Sequence, residues 1–163
     1  MNSDIKIFSF QGVNGAYSEL AGKQIYPKAS SIACKTFEEM FESVRDEKAD
    51  RAIVPIENSR AGRVADAQRL IPDSKLKIIG EFFLEINHCL LAPKGSSLET
   101  IKRVYSHEQA LTQCRNNLID NDKEMIVVAD TAGAARLVAE MNNKEDSAIA
   151  SKLAAEIYNL EII

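Results

Sequence analysis

The chain has 163 residues, a length that suits one domain or two small lobes. Hydrophobic residues make up 45% and charged residues 27%, the balance of a globular protein with a real core. The formal net charge is −4 with both signs intermixed, which excludes the clustered basic surface of a nucleic-acid-binding protein. A binding site for an anion must therefore be built from local groups.

Cysteine usage favours a reducing compartment. Cys34, Cys89 and Cys114 are odd in number and far apart, so a disulfide framework is not expected. The two histidines do not make a metal-ligand cluster with them. Met1 to Phe10 lacks the pattern of a signal peptide, and no apolar run approaches membrane-spanning length. We therefore expect a cytoplasmic protein with no membrane partner.

In the first half of the chain, short β-like runs alternate with helical patterns. Strands are predicted over Ile5–Phe10, Ser31–Cys34 and Arg51–Val54. Helices are predicted from about Ser18, from Thr36 to about Glu47, and over Val64–Ile71 before Pro72. Thr36 and Glu39 have the spacing of a capping box, in which each side chain accepts from the other residue's backbone N–H.

The second half begins with two extended segments and then continues the alternation. The extended segments are Lys77–Leu84 and Asn87–Ala92. Strands follow over Arg103–Tyr105, Met125–Val128, Ser147–Ala150 and Leu160–Ile163. Helices are predicted from Ser106, from about Thr131, and over Ser151–Tyr158. This order predicts an α/β fold with largely parallel sheets, and a crossing between two lobes near Lys77–Ala92.

Polar residues stand where several predicted strands pass into helices. These junctions are Gly15-Ala16-Tyr17-Ser18, Glu57-Asn58-Ser59, Ser106 and Asp130-Thr131. Ligands of α/β sheets gather beyond the carboxyl ends of strands, where helix N-termini attract carboxylates. The same residue types also cap helices without any ligand. The pattern leaves both interpretations open.

The helix predicted from Ser106 carries a polar stripe. Ser106, Gln109 and Gln113 share one side of it at helical spacing. The opposite side is apolar and should face the core, with Leu111, Cys114 and Leu118. The stripe predicts either a ligand-facing row of one hydroxyl and two amides or a solvated helix face. No phosphate-binding loop, dinucleotide fingerprint or nucleophile elbow occurs in the sequence.

Five segments, in order, resemble the motifs of the prephenate dehydratase family. They are Phe10–Glu19, Pro55–Ser59 with Gly62 and Val64, Ser106–Cys114, Asp130–Ala135, and Ala148–Ser151 with Ala154, Ala155 and Tyr158. Glu108 stands where the family motif has proline. The family's Thr-Arg-Phe motif and its ACT-type regulatory domain do not occur in these 163 residues.

The resemblance implies two α/β lobes like those of a type II periplasmic binding protein, with the active-site cleft between them. It places the first lobe at residues 1–80 and the second at 81–158. Residues 159–163 would begin a strand that returns to the first lobe.

The resemblance also implies the function and the site. The chain is expected to convert prephenate into phenylpyruvate without cofactor or metal, as a step of phenylalanine biosynthesis. The implied catalytic residues are Glu57, Asn58, Ser106 and Gln113. The implied substrate contacts are Gly15, Tyr17, Ser59, Gln109, Thr131 and Ala132. A homodimer is a family expectation, and the alternative function is a non-catalytic module that binds a small carboxylate.

Overall fold

The computed structural model describes residues 5–163, which divide into two compact units. The first contains the described part of Met1–Val13 and Tyr17–Glu85, and the second contains Asn14–Ala16 and Ile86–Ile163. Both units combine strands and helices, which confirms the predicted α/β class. The expected lobes at residues 1–80 and 81–158 stay a prediction beside these two units.

The first unit is built on a three-stranded parallel sheet in the order β2-β1-β3. Its strands are β1 (Ile7–Gln11), β2 (Ser30–Cys34) and β3 (Arg51–Ile53). Its helices are α1 (Tyr17–Ile25), α2 (Phe37–Arg45) and α3 (Ala65–Leu70), with a 3-10 turn at Pro72–Ser74. A short antiparallel hairpin, β4 (Glu57–Asn58) and β5 (Gly62–Arg63), precedes α3.

The capping box at the start of α2 forms in part. Thr36 Oγ1 accepts from the backbone N–H of Glu39 at 3.1 Å, as predicted. Glu39 reaches one residue further back than expected and accepts from the N–H of Lys35 at 2.8 Å. Both bonds satisfy amides that the helix itself leaves unpaired, so this helix start is stabilised on two sides.

Asp50 ties the start of β1 to the turn before β3. Its Oδ2 accepts from the backbone N–H groups of Lys6 and Ile7, each at 2.9 Å. These bonds, first that from Ile7 and then that from Lys6, lower the pKa of the Asp50 carboxyl. The stabilisation they give is present above the ordinary aspartate pKa of about 4 and is lost as the pH falls through the lowered pKa.

We expect Asp50→Asn to remove part of the acid dependence of stability. The wild type should exceed this variant in free energy of unfolding at neutral pH, and the difference should shrink as the pH falls below about 4. Urea titrations at several pH values measure it. Asp46→Asn, at an exposed carboxylate paired with Lys48 at 3.0 Å, is the control and should show no comparable change. Equal acid dependence in both variants would contradict the assignment.

The second unit is built on a five-stranded mixed sheet in the order β10-β6-β9-β7-β8. Its strands are β6 (Cys89–Ala92), β7 (Arg103–Ser106), β8 (Glu124–Val127), β9 (Asp146–Ala150) and β10 (Glu161–Ile162). Its helices are α4 (Glu108–Asp120), α5 (Thr131–Met141) and α6 (Lys152–Tyr158). Strands β8, β7 and β9 are parallel, whereas β6 runs antiparallel to β9 and β10.

Each face of this sheet carries its own apolar core, because side chains alternate along a strand. Leu90 and Ala92 of β6 pack toward α4, while Leu91 between them packs toward α5 and α6. The α4 face also contains Val104, Ala110, Leu111, Leu118 and Ile149. The α5 and α6 face contains Ala134, Ala135, Val138, Ala148, Ala150, Ala154 and Ala155. The small residues of α5 and α6 therefore serve close packing on the sheet.

One sequence prediction needs correction, and the structure adds detail to two others. Ser106 is the last residue of β7 and lies outside the helix, because α4 begins at Glu108 with His107 as its N-cap. The predicted extended segment Lys77–Leu84 forms no strand in the described structure. The final predicted strand exists as β10 and pairs with β6 in the second unit. The continuation of the chain into the first lobe stays a prediction.

Candidate functional site

Polar groups of the second unit collect at one edge of its sheet. The carboxyl ends of the parallel strands β7, β8 and β9 meet there, and so does the amino end of antiparallel β6, where Cys89 faces Ala150. The helices α4, α5 and α6 begin just beyond this edge, capped by His107, Asp130 and Ser151. This edge is where an α/β sheet places its ligands.

The predicted site residues are distributed over both units. The second unit carries Gly15, Ser106, Gln109, Gln113, Thr131 and Ala132, and the first carries Tyr17, Glu57, Asn58 and Ser59. Tyr17 is the first residue of α1. None of these assignments to substrate is tested by the fold itself, and they stay predictions.

Ser106 lies at the polar edge but points into the protein. Its side chain is fully buried, and Oγ donates a hydrogen bond of 2.6 Å to the carbonyl oxygen of Ile149. The hydroxyl thereby ties β7 to β9 at the point where both strands end. This geometry supports a role for Ser106 in holding the edge together rather than in protonating a ligand.

Gln113 of α4 is the most distinctive polar side chain of this region. It is half-buried, and its Oε1 lies 3.2 Å from Nε2 of His88, just before β6. Gln109, one turn earlier, is exposed. Sequence reasoning missed His88, although a signal was present. His88 shares the alternation of Leu90 and Ala92, which face α4, so it could have been placed under that helix.

The start of α5 already holds a carboxylate. Asp130 caps the helix, and its Oδ1 accepts from the backbone N–H of Gly133 at 2.6 Å. Thr131 is half-buried beside it, and Ala132 is fully buried. A ligand carboxylate at this helix start would meet the side chain of Asp130, so any ligand contact of Thr131 would be made by its hydroxyl rather than by the helix terminus.

Gly15 is a packing residue on α6. The segment Asn14–Ala16 lies on this helix, where Ser151 Oγ donates to the Gly15 carbonyl oxygen at 2.6 Å and Tyr158 Oη donates to that of Asn14 at 2.7 Å. Gly15 has a φ of +92°, and a Cβ there would stand 2.9 Å from Ala154 Cα. The first and last of the five motifs therefore contact each other within the second unit.

Asn58 closes the hairpin of the first unit. Its Oδ1 accepts from the N–H groups of Arg60 at 2.9 Å and Ala61 at 3.0 Å, and Gly62 supplies the positive φ that the turn requires. Glu57 and Ser59 are exposed on either side. Within the described structure Asn58 Nδ2 has no hydrogen-bond partner, so the amide offers a donor beyond its structural task.

The three cysteines, Cys34, Cys89 and Cys114, form no disulfide in the described structure. Burial raises the pKa of the Cys34 and Cys89 thiols, which disfavours the nucleophilic thiolate. Among residues 5–163 no group of three or more histidine, cysteine or acidic side chains is arranged to hold a metal ion. No helix of that range is long and apolar enough to cross a membrane.

The second unit is thus an α/β fold whose sheet carries polar side chains at the edge where such folds bind ligands. The family model described as "Prephenate dehydratase" matches residues 8–163. The chain belongs to the prephenate dehydratase family, which confirms the resemblance in its motifs.

Individual relatives show the same membership. The chain is 43% identical, over its whole length and 58% of the relative, to a bifunctional N-acyl-homoserine lactone acylase/prephenate dehydratase of Komagataeibacter europaeus. It is 44% identical to arogenate dehydratase 2 of Petunia hybrida, over 95% of this chain and 39% of the relative. The prephenate dehydratase of Arthrobacter aurescens, solved in complex with L-Phe, superposes with a TM-score of 0.86. That structure is 31% identical and is matched over 96% of this chain and 54% of its own length. The chain thus spans about half or less of the curated relatives it matches.

Proposed function

We propose that this chain supplies the catalytic part of a dehydratase that converts prephenate into phenylpyruvate. The observation that carries the proposal is the family match over residues 8–163. It includes Gln113 and Asn58, two amides whose NH₂ groups have no hydrogen-bond partner within the described structure. A substrate with two carboxylates needs such donors.

The reaction sets a modest chemical task for the protein. The bond from the ring to its carboxylate breaks and releases CO₂, and the electron pair enters the ring as it becomes aromatic. The ring hydroxyl leaves and takes up one proton to become water. Aromatisation supplies the driving force, so the protein must orient the ring, hold the carboxylates and deliver that proton.

The proposed roles follow from the hydrogen-bond donors and acceptors of these side chains. Gln113 donates to a substrate oxygen, and the family resemblance adds Asn58 as a further donor, with Glu57 and Ser59 as its exposed polar neighbours in the hairpin. Thr131 contributes its hydroxyl. Ser106 keeps the edge of the sheet in register. Preorganised neutral donors act most strongly where the transition state gathers charge.

A substrate panel tests the proposal. The purified chain is given prephenate, arogenate and an N-acyl-homoserine lactone, against protein-free controls because prephenate decays unaided. Phenylpyruvate from prephenate supports the proposal. Phenylalanine from arogenate, with no product from prephenate, would make arogenate the substrate instead. Acyl cleavage alone would overturn it. Binding of prephenate without any product would favour the non-catalytic module.

Asn58→Asp separates the structural from the substrate-binding role of this side chain. Aspartate keeps an oxygen for the Arg60 and Ala61 amides but removes the NH₂ donor and adds a negative charge. We expect kcat/KM to fall at least tenfold while the melting temperature stays near that of the wild type. Asn58→Ala should lose both activity and about 1 kcal/mol of stability. Normal turnover in Asn58→Asp would reduce Asn58 to a turn-forming residue.

A further inference from the structure

His88, just before β6, and Gln113 of α4 form a polar pair. The proposed function gives His88 no role so far. His88 Nε2 and Gln113 Oε1 are 3.2 Å apart, and both side chains are half-buried. The amide oxygen of glutamine can only accept a hydrogen bond, so the contact requires a proton on His88 Nε2. From this we infer that His88 is a positioning residue that fixes which end of the Gln113 amide faces the ligand.

The inference rests on the two possible orientations of one amide. With a proton on Nε2, His88 holds the Gln113 oxygen and the NH₂ group is turned away from the histidine. If Nε2 carried only a lone pair, the amide would rotate to donate to it and would present its oxygen instead. A substrate carboxylate would accept bonds from the first arrangement and would be repelled by the second.

The backbones of both residues are held in place by the apolar core on the α4 side of the sheet. His88 is held by the start of β6, whose next residues Leu90 and Ala92 are packed in the core beneath α4. Gln113 is held by α4, whose Ala110, Leu111 and Leu118 are buried in the same core. Neither backbone can shift without disturbing this core, so the polarity of the amide depends on the proton of His88.

Two matched substitutions test the inference, which rests on the proposed function. Glutamine at position 88 can place a donor near the position of Nε2, whereas asparagine is one methylene too short to reach Gln113. We expect His88→Asn to weaken kcat/KM and phenylpyruvate affinity about tenfold, and His88→Gln to stay within about threefold of the wild type. Melting temperatures verify that both variants fold alike.

A double-mutant cycle shows whether His88 acts through Gln113. In a Gln113→Ala background, His88→Asn should cause no further loss, because the group it positions is already gone. The inference would be overturned if the kcat/KM losses of His88→Asn and Gln113→Ala multiplied in the double variant. Equal activity of His88→Asn and His88→Gln would also overturn it. If His88→Asn lowers kcat/KM while Gln113→Ala does not, the assignment of Gln113 to the substrate fails instead.

The tautomer can be measured without turnover. Nitrogen-15 NMR of the His88 ring should show the proton on Nε2 in the free chain, and the side-chain amide signals of Gln113 should shift in His88→Asn but little in His88→Gln. An unprotonated Nε2 would overturn the inference even in a fully active protein. A protonated Nε2 in a chain that neither binds nor converts prephenate would sustain the pair geometry while the proposed function fails.

Discussion

Replacing Gly15 by alanine is expected to lower the free energy of unfolding of the second unit by about 2–5 kcal/mol. Two costs add. An L-residue at a φ of +92° costs about 1–2 kcal/mol, and the new Cβ would press on the backbone of α6, 2.9 Å from Ala154 Cα, at a cost of about 1–3 kcal/mol. Urea unfolding followed by circular dichroism, with hydrogen exchange of β6 and β9 amides, measures the loss.

Gly62→Ala isolates the first of these costs. Gly62 has a φ of +82°, close to that of Gly15, but a Cβ there would meet nothing within 4 Å. It should therefore lose only the conformational part, about 1–2 kcal/mol. Ala154→Gly should cost less stability in the Gly15→Ala variant than in the wild type, because it removes one of the clashing atoms. Equal losses in the two glycine variants would show that the contact with α6 is looser than described.

The second large effect is expected on activity, in Gln113→Ala. If the Gln113 amide donates to the reacting substrate, its loss should lower kcat/KM about 100-fold, as for other preorganised donors. Gln113→Glu is expected to be at least as damaging. Its carboxylate can still accept from His88 Nε2, but it donates nothing and its charge opposes a substrate with two carboxylates. Steady-state kinetics with prephenate measures both variants.

Asn117→Ala is the matched control for these variants. Asn117 is exposed, one turn further along α4 on the same polar stripe, and lies outside the proposed site. It should leave kcat/KM unchanged, and alanine favours the helix. A loss in Asn117→Ala similar to that in Gln113→Ala would mean that the helix surface, and not the Gln113 amide, matters. Full activity of Gln113→Glu would remove Gln113 from the site.

The elements of the fold could be predicted well from the sequence because each has a local signal. Caps such as Thr36 and Ser151 hydrogen-bond three residues ahead and so mark a helix start. Short β-branched runs such as Met125–Val128 mark a strand. The prediction for Ser106 went wrong for a local reason also. A strand end and a helix start follow each other there, and the capping side chain is His107 rather than Ser106.

The parts of the site that escaped prediction depend on contacts distant in sequence. The His88–Gln113 bond spans 25 residues, and the strand alternation that places His88 on the α4 side of the sheet does not identify Gln113 as its partner. The bond from Ser151 to Gly15 spans 136 residues. Motif resemblance placed Gly15 among the substrate contacts, which stays a prediction, and the structure adds that its close approach to the backbone of α6 requires a glycine. Resemblance thus identifies which residues matter more readily than it identifies why.

The docking of Asn14–Ala16 on α6 also has a consequence for the timing of folding during synthesis. Tyr158 is the latest partner of this segment, 144 residues after Asn14. At a ribosomal rate of about 5–20 residues per second, the segment emerges on the order of ten seconds before its binding surface exists. Closing so long a loop costs roughly 4 kcal/mol in chain entropy. The second unit is therefore completed by two segments 144 residues apart, and Gly15 cannot make its contact with α6 until that helix has been synthesised and has formed.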